Sequence, residues 1–238
     1  MTRAVLNFEN VVVRYHENRP PALNDVSFAL HQGERVALFG LNGSGKTTLF
    51  LAAVGLVPYQ GIITVNGLVL EKITVAKARS EIGFLFNVPE EQLLFPKVVD
   101  DVAFTLIRRG VSAPEARRKA LDALANLGAD SFAELPPHEL SHGEILRAAL
   151  AGVLVSDPLI LLLDEPSAGL DPPAKKMLAR HLGHLPSAML AATHDISFAR
   201  LFCHRYIVLE HGRIVLDGQA FDEVEALWDC RPSKSDFD

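Results

Sequence analysis

Val36-Ala37-Leu38-Phe39, then Gly40-Leu41-Asn42-Gly43-Ser44-Gly45-Lys46-Thr47-Thr48, then Leu49-Phe50-Leu51-Ala52-Ala53 is the stretch on which the reading of this chain turns. Four apolar residues end at a glycine, and a second apolar run begins after two threonines, so a strand is expected to turn directly into a helix here. The intervening spacing is G-x-x-x-x-G-K-T. Glycines at those positions let successive backbone N–H groups curl around an anion, and the helix that follows turns its positive dipole end towards the same point. Gly40, Leu41, Asn42, Gly43, Ser44, Gly45, Lys46, Thr47 and Thr48 are therefore the expected phosphate cradle. Lys46 is placed to reach the β- and γ-phosphates, and Thr47 to ligate Mg²⁺. The bound molecule expected from this stretch is a nucleoside triphosphate.

On the amino side, residues 4 to 15 read as a strand, Pro20-Pro21 interrupts, and Val26 to Leu30 read as a second. His31-Gln32-Gly33-Glu34 is a turn into the strand that carries the loop. On the carboxyl side Gly61 to Gly67 ends in Asn66-Gly67, a hairpin signal, and resumes at Leu68-Val69-Leu70. These early strands are expected to be antiparallel, beside a parallel core. From Val98 to Ser156 the composition turns to Ala, Leu, Arg and Glu, with breaks at Gly110, Gly128 and Pro136-Pro137. Ala120, Leu121, Ala123, Leu124 and Leu127 recur at helical spacing, which packing of a helix against a core explains. Leu159–Leu163, Ala188–Thr193 and Tyr206–Leu209 then read as buried strands of a parallel α/β sheet.

Leu159-Ile160-Leu161-Leu162-Leu163 ends in two carboxylates, Asp164 and Glu165, which places both at the carboxyl edge of the sheet, where open α/β folds bind ligands. Asp164 suits the Mg²⁺ shell. Glu165 suits the polarisation of a water for in-line attack on a γ-phosphate. Leu140-Ser141-His142-Gly143-Glu144 precedes an apolar run, and Ser141 with Glu144 fits the S-x-x-E capping box, so a helix is expected to start there.

Composition narrows the partners. The 238 residues hold 23 Lys and Arg against 29 Asp and Glu, a net charge of −6, so no global basic field exists to hold nucleic acid. Cys203 and Cys230 form no framework and no metal spacing, which suits a reducing cytoplasm. The first nine residues hold no apolar segment of signal-peptide length, and the longest apolar stretch, Leu49 to Pro58, is too short to span a membrane. Any membrane association is expected to run through a partner protein. His181 and His184 lie three apart on an expected helix with no further ligand near in sequence, so a solvated helix face is the better reading.

Five segments now stand in order: Gly40–Thr48, Leu140–Glu144, Leu159–Glu165, Ser167-Ala168-Gly169-Leu170-Asp171 and Thr193-His194-Asp195. Together they resemble, over nearly the whole chain, the ATPase subunit of ATP-binding cassette transporters: Walker A, the signature usually written L-S-G-G-Q, Walker B, the D-loop and the switch histidine. The resemblance implies an α/β P-loop NTPase (RecA-like) core with a parallel sheet, an antiparallel β subdomain and an α-helical subdomain inserted at about residues 88–156. It implies one domain over residues 1–230, followed by a polar tail at 231–238. It also implies ATP and Mg²⁺, and two subunits closed head to tail, so that Ser141, Gly143 and Asp171 of one chain complete the site on the other. His194 would then contact the γ-phosphate and steady Glu165. Tyr15 resembles the aromatic that stacks on adenine.

Three positions depart from the family pattern. Asn87 stands where the glutamine loop, which touches Mg²⁺ and the attacking water, has Gln. His142 replaces a glycine and Glu144 a glutamine. Glu90-Glu91-Gln92-Leu93-Leu94-Phe95 with Val98 to Phe104, and Pro136 to Ser141, resemble importers of the cobalt/nickel and energy-coupling-factor type. That likeness implies an integral membrane coupling protein, a substrate-capture membrane protein, a place on the cytoplasmic face of the cell membrane, and a cargo such as cobalt, nickel or biotin. Residues 87 to 104 would form part of the groove that receives a helix of the coupling protein. A homodimer and a heterodimer with a related ATPase are both permitted. The alternatives are a soluble cassette ATPase, or a nucleotide-dependent regulatory dimer without turnover, which the Asn87 and His142 departures would suit.

Overall fold

In the computed structural model, which describes residues 3–229, the chain runs through β1 (Ala4–Val13), β2 (Leu23–His31), β3 (Arg35–Phe39), α1 (Lys46–Ala53), β4 (Gln60–Val65), β5 (Leu68–Val69), α2 (Val75–Ser80) and β6 (Ile82–Leu85). It continues through α3 (Val98–Arg108), α4 (Ala113–Asn126), α5 (His142–Leu154), β7 (Ile160–Asp164), α6 (Pro172–His184), β8 (Ala188–Ala192), α7 (Ile196–Ala199), β9 (Arg205–Glu210), β10 (Arg213–Gly218) and α8 (Asp222–Asp229). The expected tail and Cys230 lie outside the described residues.

Two sheets result. One is antiparallel in the order β2-β1-β4-β5, and the other has the order β10-β9-β3-β8-β7-β6, parallel except for β10. The short turn between β4 and β5 uses Asn66 and Gly67, both at positive φ, as a two-residue hairpin of this kind requires. Period-two alternation assigns the strands of the second sheet to two cores. Val36, Leu38, Leu162 and Leu190 face the antiparallel sheet and α1, whereas Ala37, Phe39, Leu163 and Ala191 face a core built with the helices. A sheet covered on both faces needs near-continuous apolar strands, which is why β7 reads Ile-Leu-Leu-Leu before its aspartate.

The helices α3, α4 and α5 fill the connection between the neighbouring parallel strands β6 and β7, where the composition turned helical. Gly110, Gly128 and Pro136-Pro137 all fall between helices, as breakers should. Ala116, Ala120 and Leu124 are the buried stripe of α4, and α5 buries Ile145, Leu146, Ala149 and Leu150. Packing accounts for that periodicity.

Two features lay beyond the sequence reading. β6 and β10 are short and only partly apolar in pattern, so they were not anticipated. His194 follows β8, and β9 comes after it in the chain but on the far side of β3 in the same sheet, an order that the strand pattern alone does not give.

Asp171 caps α6 by accepting the Ala174 N–H at 2.8 Å, with Pro172 and Pro173 in the first turn where no N–H is needed. Replacing Asp171 by Ala will lower stability to chemical denaturation by about 1 kcal/mol. Asp171→Ser will recover most of it, since a hydroxyl can accept the same bond.

Candidate functional site

Four parallel strands, β3, β8, β7 and β6, lie side by side, and the chain leaving each one carries an expected site residue. Gly40 follows β3, Asn87 stands two residues past β6, Asp164 ends β7 with Glu165 next, and His194 stands two residues past β8. Parallel pairing alone brings these distant residues to one edge.

The phosphate loop is shaped before any anion is considered. Gly45 has φ 111°, and a Cβ there would sit 2.5 Å from the Ala22 carbonyl oxygen, so only glycine closes the turn. The Ser44 side chain is buried and its Oγ has no hydrogen-bond partner among the described residues. An orphaned hydroxyl beneath a glycine-rich loop at a helix N-terminus suits a phosphate oxygen. Lys46 is buried, and its Nζ donates to the carbonyls of Gly40 at 2.7 Å and Leu41 at 3.3 Å, folded back on the first residues of its loop. Burial lowers its pKa, while the nearby Glu165 and Asp164 carboxylates oppose that shift.

The hydroxyl of Thr47 donates to Asp164 Oδ2 at 2.8 Å, which joins the first turn of α1 to the end of β7. Asp164 is buried, and burial raises its pKa, helped by Glu165 and opposed by the Thr47 bond and Lys46. A buried carboxylate and a hydroxyl at hydrogen-bond distance are hard oxygen donors of the kind Mg²⁺ takes. Glu165 has φ 50°, a conformation a side chain rarely adopts, and its carboxylate meets His194 Nδ1 at 2.9 Å. The side chain of His194 is otherwise 73% exposed, so it faces outward from the edge. Strained backbone beside paired titratable groups is common where chemistry is done.

Tyr15 lies on the same side: its hydroxyl is 3.3 Å from Thr48 Oγ1 and its ring is exposed, available to stack on a flat ligand. Asn87 is exposed beyond β6. Ser141 and Gly143 are not brought to the phosphate loop. They line a separate cleft of about 280 Å³ with residues of α6 such as Met177 and Leu178. The capping pair is present there, with Glu144 Oε2 accepting both the N–H and the hydroxyl of Ser141 at 2.9 and 2.6 Å. Asp171 sits in the loop next to that cleft, as the cap of α6.

Several supporting residues were not singled out from sequence. Lys175 on α6 donates to Asp195 at 2.6 Å, and Asp195 also caps α7 through the Phe198 N–H, which pins the chain just after His194. Burial would raise the Asp195 pKa, but the Lys175 bond and charge, the Phe198 N–H and His194 together outweigh it, and the net shift is downward. The Gln92 amide accepts from the Phe86 N–H and donates to the Phe84 carbonyl, both at 3.0 Å, fixing the backbone that delivers Asn87. No sequence rule links a lysine on one helix to an aspartate twenty residues on.

Beside this edge a groove of about 650 Å³ runs between β6, the 3₁₀ turn Pro89–Gln92, α3 and α5, lined by Gln92, Leu93, Leu94, Phe95, Phe104 and Arg108 among others. Leu94 is 80% exposed and Phe104 45%, while Asp101 holds the loop by accepting the Leu94 and Phe95 N–H groups. No helix among the described residues is long and apolar enough to cross a membrane.

A family model described as ABC transporter matches residues 23–168. The chain is 41% identical to the energy-coupling factor transporter ATP-binding protein EcfA1 of Levilactobacillus brevis, over 90% of this chain and 78% of that protein. Its fold superposes on the structure of cbiO1 of Clostridium perfringens, described as part of the ABC transporter complex cbiONQ, with TM-score 0.82, 33% identity and coverage of 94% of this chain and 91% of that one. It also superposes on a dimeric ATP-binding cassette in a post-hydrolysis state bound to ADP and Pi, with TM-score 0.80, 28% identity and coverage of 90% and 98%.

Proposed function

Because the chain belongs to the ABC transporter family and is an ATPase of it, we propose that it is the energising subunit of an importer for a small nutrient, coupled through a membrane protein of energy-coupling-factor type. The observation that carries the proposal is the convergence of Lys46, the Thr47–Asp164 pair and the Glu165–His194 pair on one sheet edge. Each residue then has one task. The N–H groups of Gly43 to Thr48 cradle the phosphates, Lys46 balances their charge, and Tyr15 stacks on the base. Thr47 and Asp164 would hold Mg²⁺, with Asn87 beside them; when bound, the ion would offset the negative charge of the phosphate oxygens.

Glu165 takes the proton of the attacking water, and the His194 ring fixes the carboxylate that receives it. Little more is asked of the protein once charge and position are supplied. Ser141 and Gly143 lie in a different cleft of the same chain, so a second cassette, identical or related, would bring its α5 N-terminus to the phosphates, with Asp171 at the seam. The dimeric state of the similar cassette bound to ADP and Pi supports a pairing of two cassettes. Closure on ATP and reopening after hydrolysis would move whatever is docked in the groove beside α3.

That groove supplies the coupling side. Exposed Leu94 and Phe104 against a floor of Leu93 and Phe84 suit the apolar face of a short helix from an integral membrane protein. The protein would then sit on the cytoplasmic face of the cell membrane. Selection of cargo would lie in a membrane-embedded capture subunit, so a transition-metal ion such as cobalt or nickel and a vitamin such as biotin fit the ATPase equally. Purification of tagged chains from membranes tests the assignment. The parent is expected to carry integral companions, whereas Leu94→Asp with Phe104→Asp loses them and still binds ATP. Recovery of the parent with no membrane protein would overturn the importer reading.

A further inference from the structure

The position where the signature departs from glycine, His142, holds an arrangement that the ATPase chemistry above does not use. His142 is the first residue of α5, and both of its ring nitrogens are engaged. Nδ1 lies 2.8 Å from Glu90 Oε1, on the 3₁₀ turn after β6, and Nε2 lies 3.0 Å from the carbonyl oxygen of Ala168, in the turn after β7. The ring rests directly on Gly169, whose φ is +71° and where a Cβ would come within 2.9 Å of it. A carboxylate and a carbonyl can only accept. A neutral imidazole offers one donor and one acceptor, so only the doubly protonated ring satisfies both partners at once.

We infer that His142 is a positioning residue held as an imidazolium, which ties the first turn of α5 to the turns that follow β6 and β7. Three chain segments far apart in sequence meet at this one ring. The Glu90 side touches the segment next to the groove, and the Ala168 side touches the connection between Glu165 and Asp171. The clamp therefore sets where Ser141 and Gly143 stand relative to the sheet edge. Glycine at this place, as in the family pattern, could make neither bond.

The surrounding charges agree with the geometry. Glu90 and Glu91 are the carboxylates of the 3₁₀ turn. On α5, Glu144 is held by Ser141 and acted on by Arg147, and in the turn after β7 the Asp171 carboxylate is committed to the Ala174 N–H. The Glu90 hydrogen bond raises the His142 pKa above its ordinary 6.5, against the opposing effect of burial, and the same bond lowers the Glu90 pKa. The sign follows: the clamp is complete below the raised pKa and loses one of its two bonds as pH rises through it. With the two side chains 39% and 43% exposed, the effect is modest.

The inference leans on the ATPase reading only for one of its two readouts. In protein labelled at histidine Cε1, the His142 resonance, identified by its loss in His142→Gly, is expected to titrate with a midpoint above 6.5, and Glu90→Gln is expected to bring that midpoint down. ATP turnover of the parent is expected to fall about fivefold across the same pH interval, the worth of one partly exposed charge-assisted bond. His142→Gly loses that descending limb, and Glu90→Gln moves it to lower pH. A His142 midpoint at or below the ordinary value, or unmoved by Glu90→Gln, would overturn the clamp, as would a parental pH profile retained in His142→Gly. Absence of turnover in every variant would count against the ATPase reading alone, and the resonance would still decide the clamp.

Discussion

ATP turnover by the Glu165→Gln chain will fall by about 10²–10⁴-fold, with ATP bound as tightly as by the parent. The amide has the shape of the carboxylate and keeps an oxygen for the His194 Nδ1 contact, so the φ 50° backbone and its neighbours need not move. What it cannot do is take a proton. The neighbouring Asp164 does not substitute, because it is buried and already accepts the Thr47 hydroxyl at 2.8 Å. His194→Ala should cost less than Glu165→Gln, since it removes a support of the base and leaves the base itself. Phosphate release from the assembled complex checks both, and equal rates for Glu165→Gln and the parent would remove Glu165 from its role.

Lys46→Ala acts on a different step. The ammonium lies at the phosphate loop, where burial lowers its pKa and two carboxylates, Glu165 and Asp164, partly oppose that shift. Removing it leaves those carboxylates uncompensated and facing an anionic ligand. Truncating one partner of a buried charge pair between protein and ligand costs about 3–5 kcal/mol of binding, or roughly 10²–10⁴-fold in ATP affinity. Calorimetric titration with ATP measures the loss, and an unchanged circular-dichroism melting curve shows that the fold survived. ATP affinity within twofold of the parent would contradict the placement of Lys46 at the triphosphate.

The two variants also show what was legible in the chain and what was not. The phosphate loop was readable because its requirements are local: an apolar strand, glycines where the backbone must turn, and a helix directly after. Asp164 and Glu165 were readable for the same kind of reason, since a fully buried strand cannot continue through two carboxylates. The meeting of these two segments through Thr47 and Asp164, 117 positions apart, is a product of the parallel sheet, and the residue patterns reached it only by assigning both side chains to the same Mg²⁺. The Ser141–Glu144 capping pair was legible from spacing alone.

Contacts set by the tertiary fold were not legible. Gln92 steadies the backbone before Asn87, Lys175 steadies the segment after His194, and both act between elements whose adjacency no local pattern encodes. His142 could be singled out as a departure from glycine. Its partners Glu90 and Ala168 lie 52 positions before it and 26 after it. β6 and β10 escaped notice because a four-residue strand containing a glycine, and an edge strand with alternating exposure, carry little signal against their surroundings.

The central claim is that triphosphate is held at the amino end of α1 and completed by the serine-capped helix of another cassette. A structure of the Glu165→Gln chain with ATP and Mg²⁺, in its native assembly, measures this directly. The account predicts a γ-phosphate lying between Lys46 of one chain and the N-terminus of the helix that begins at Ser141, or at its counterpart, on the partner. A γ-phosphate remote from Lys46, or ATP bound with no second helix against it, would contradict the account.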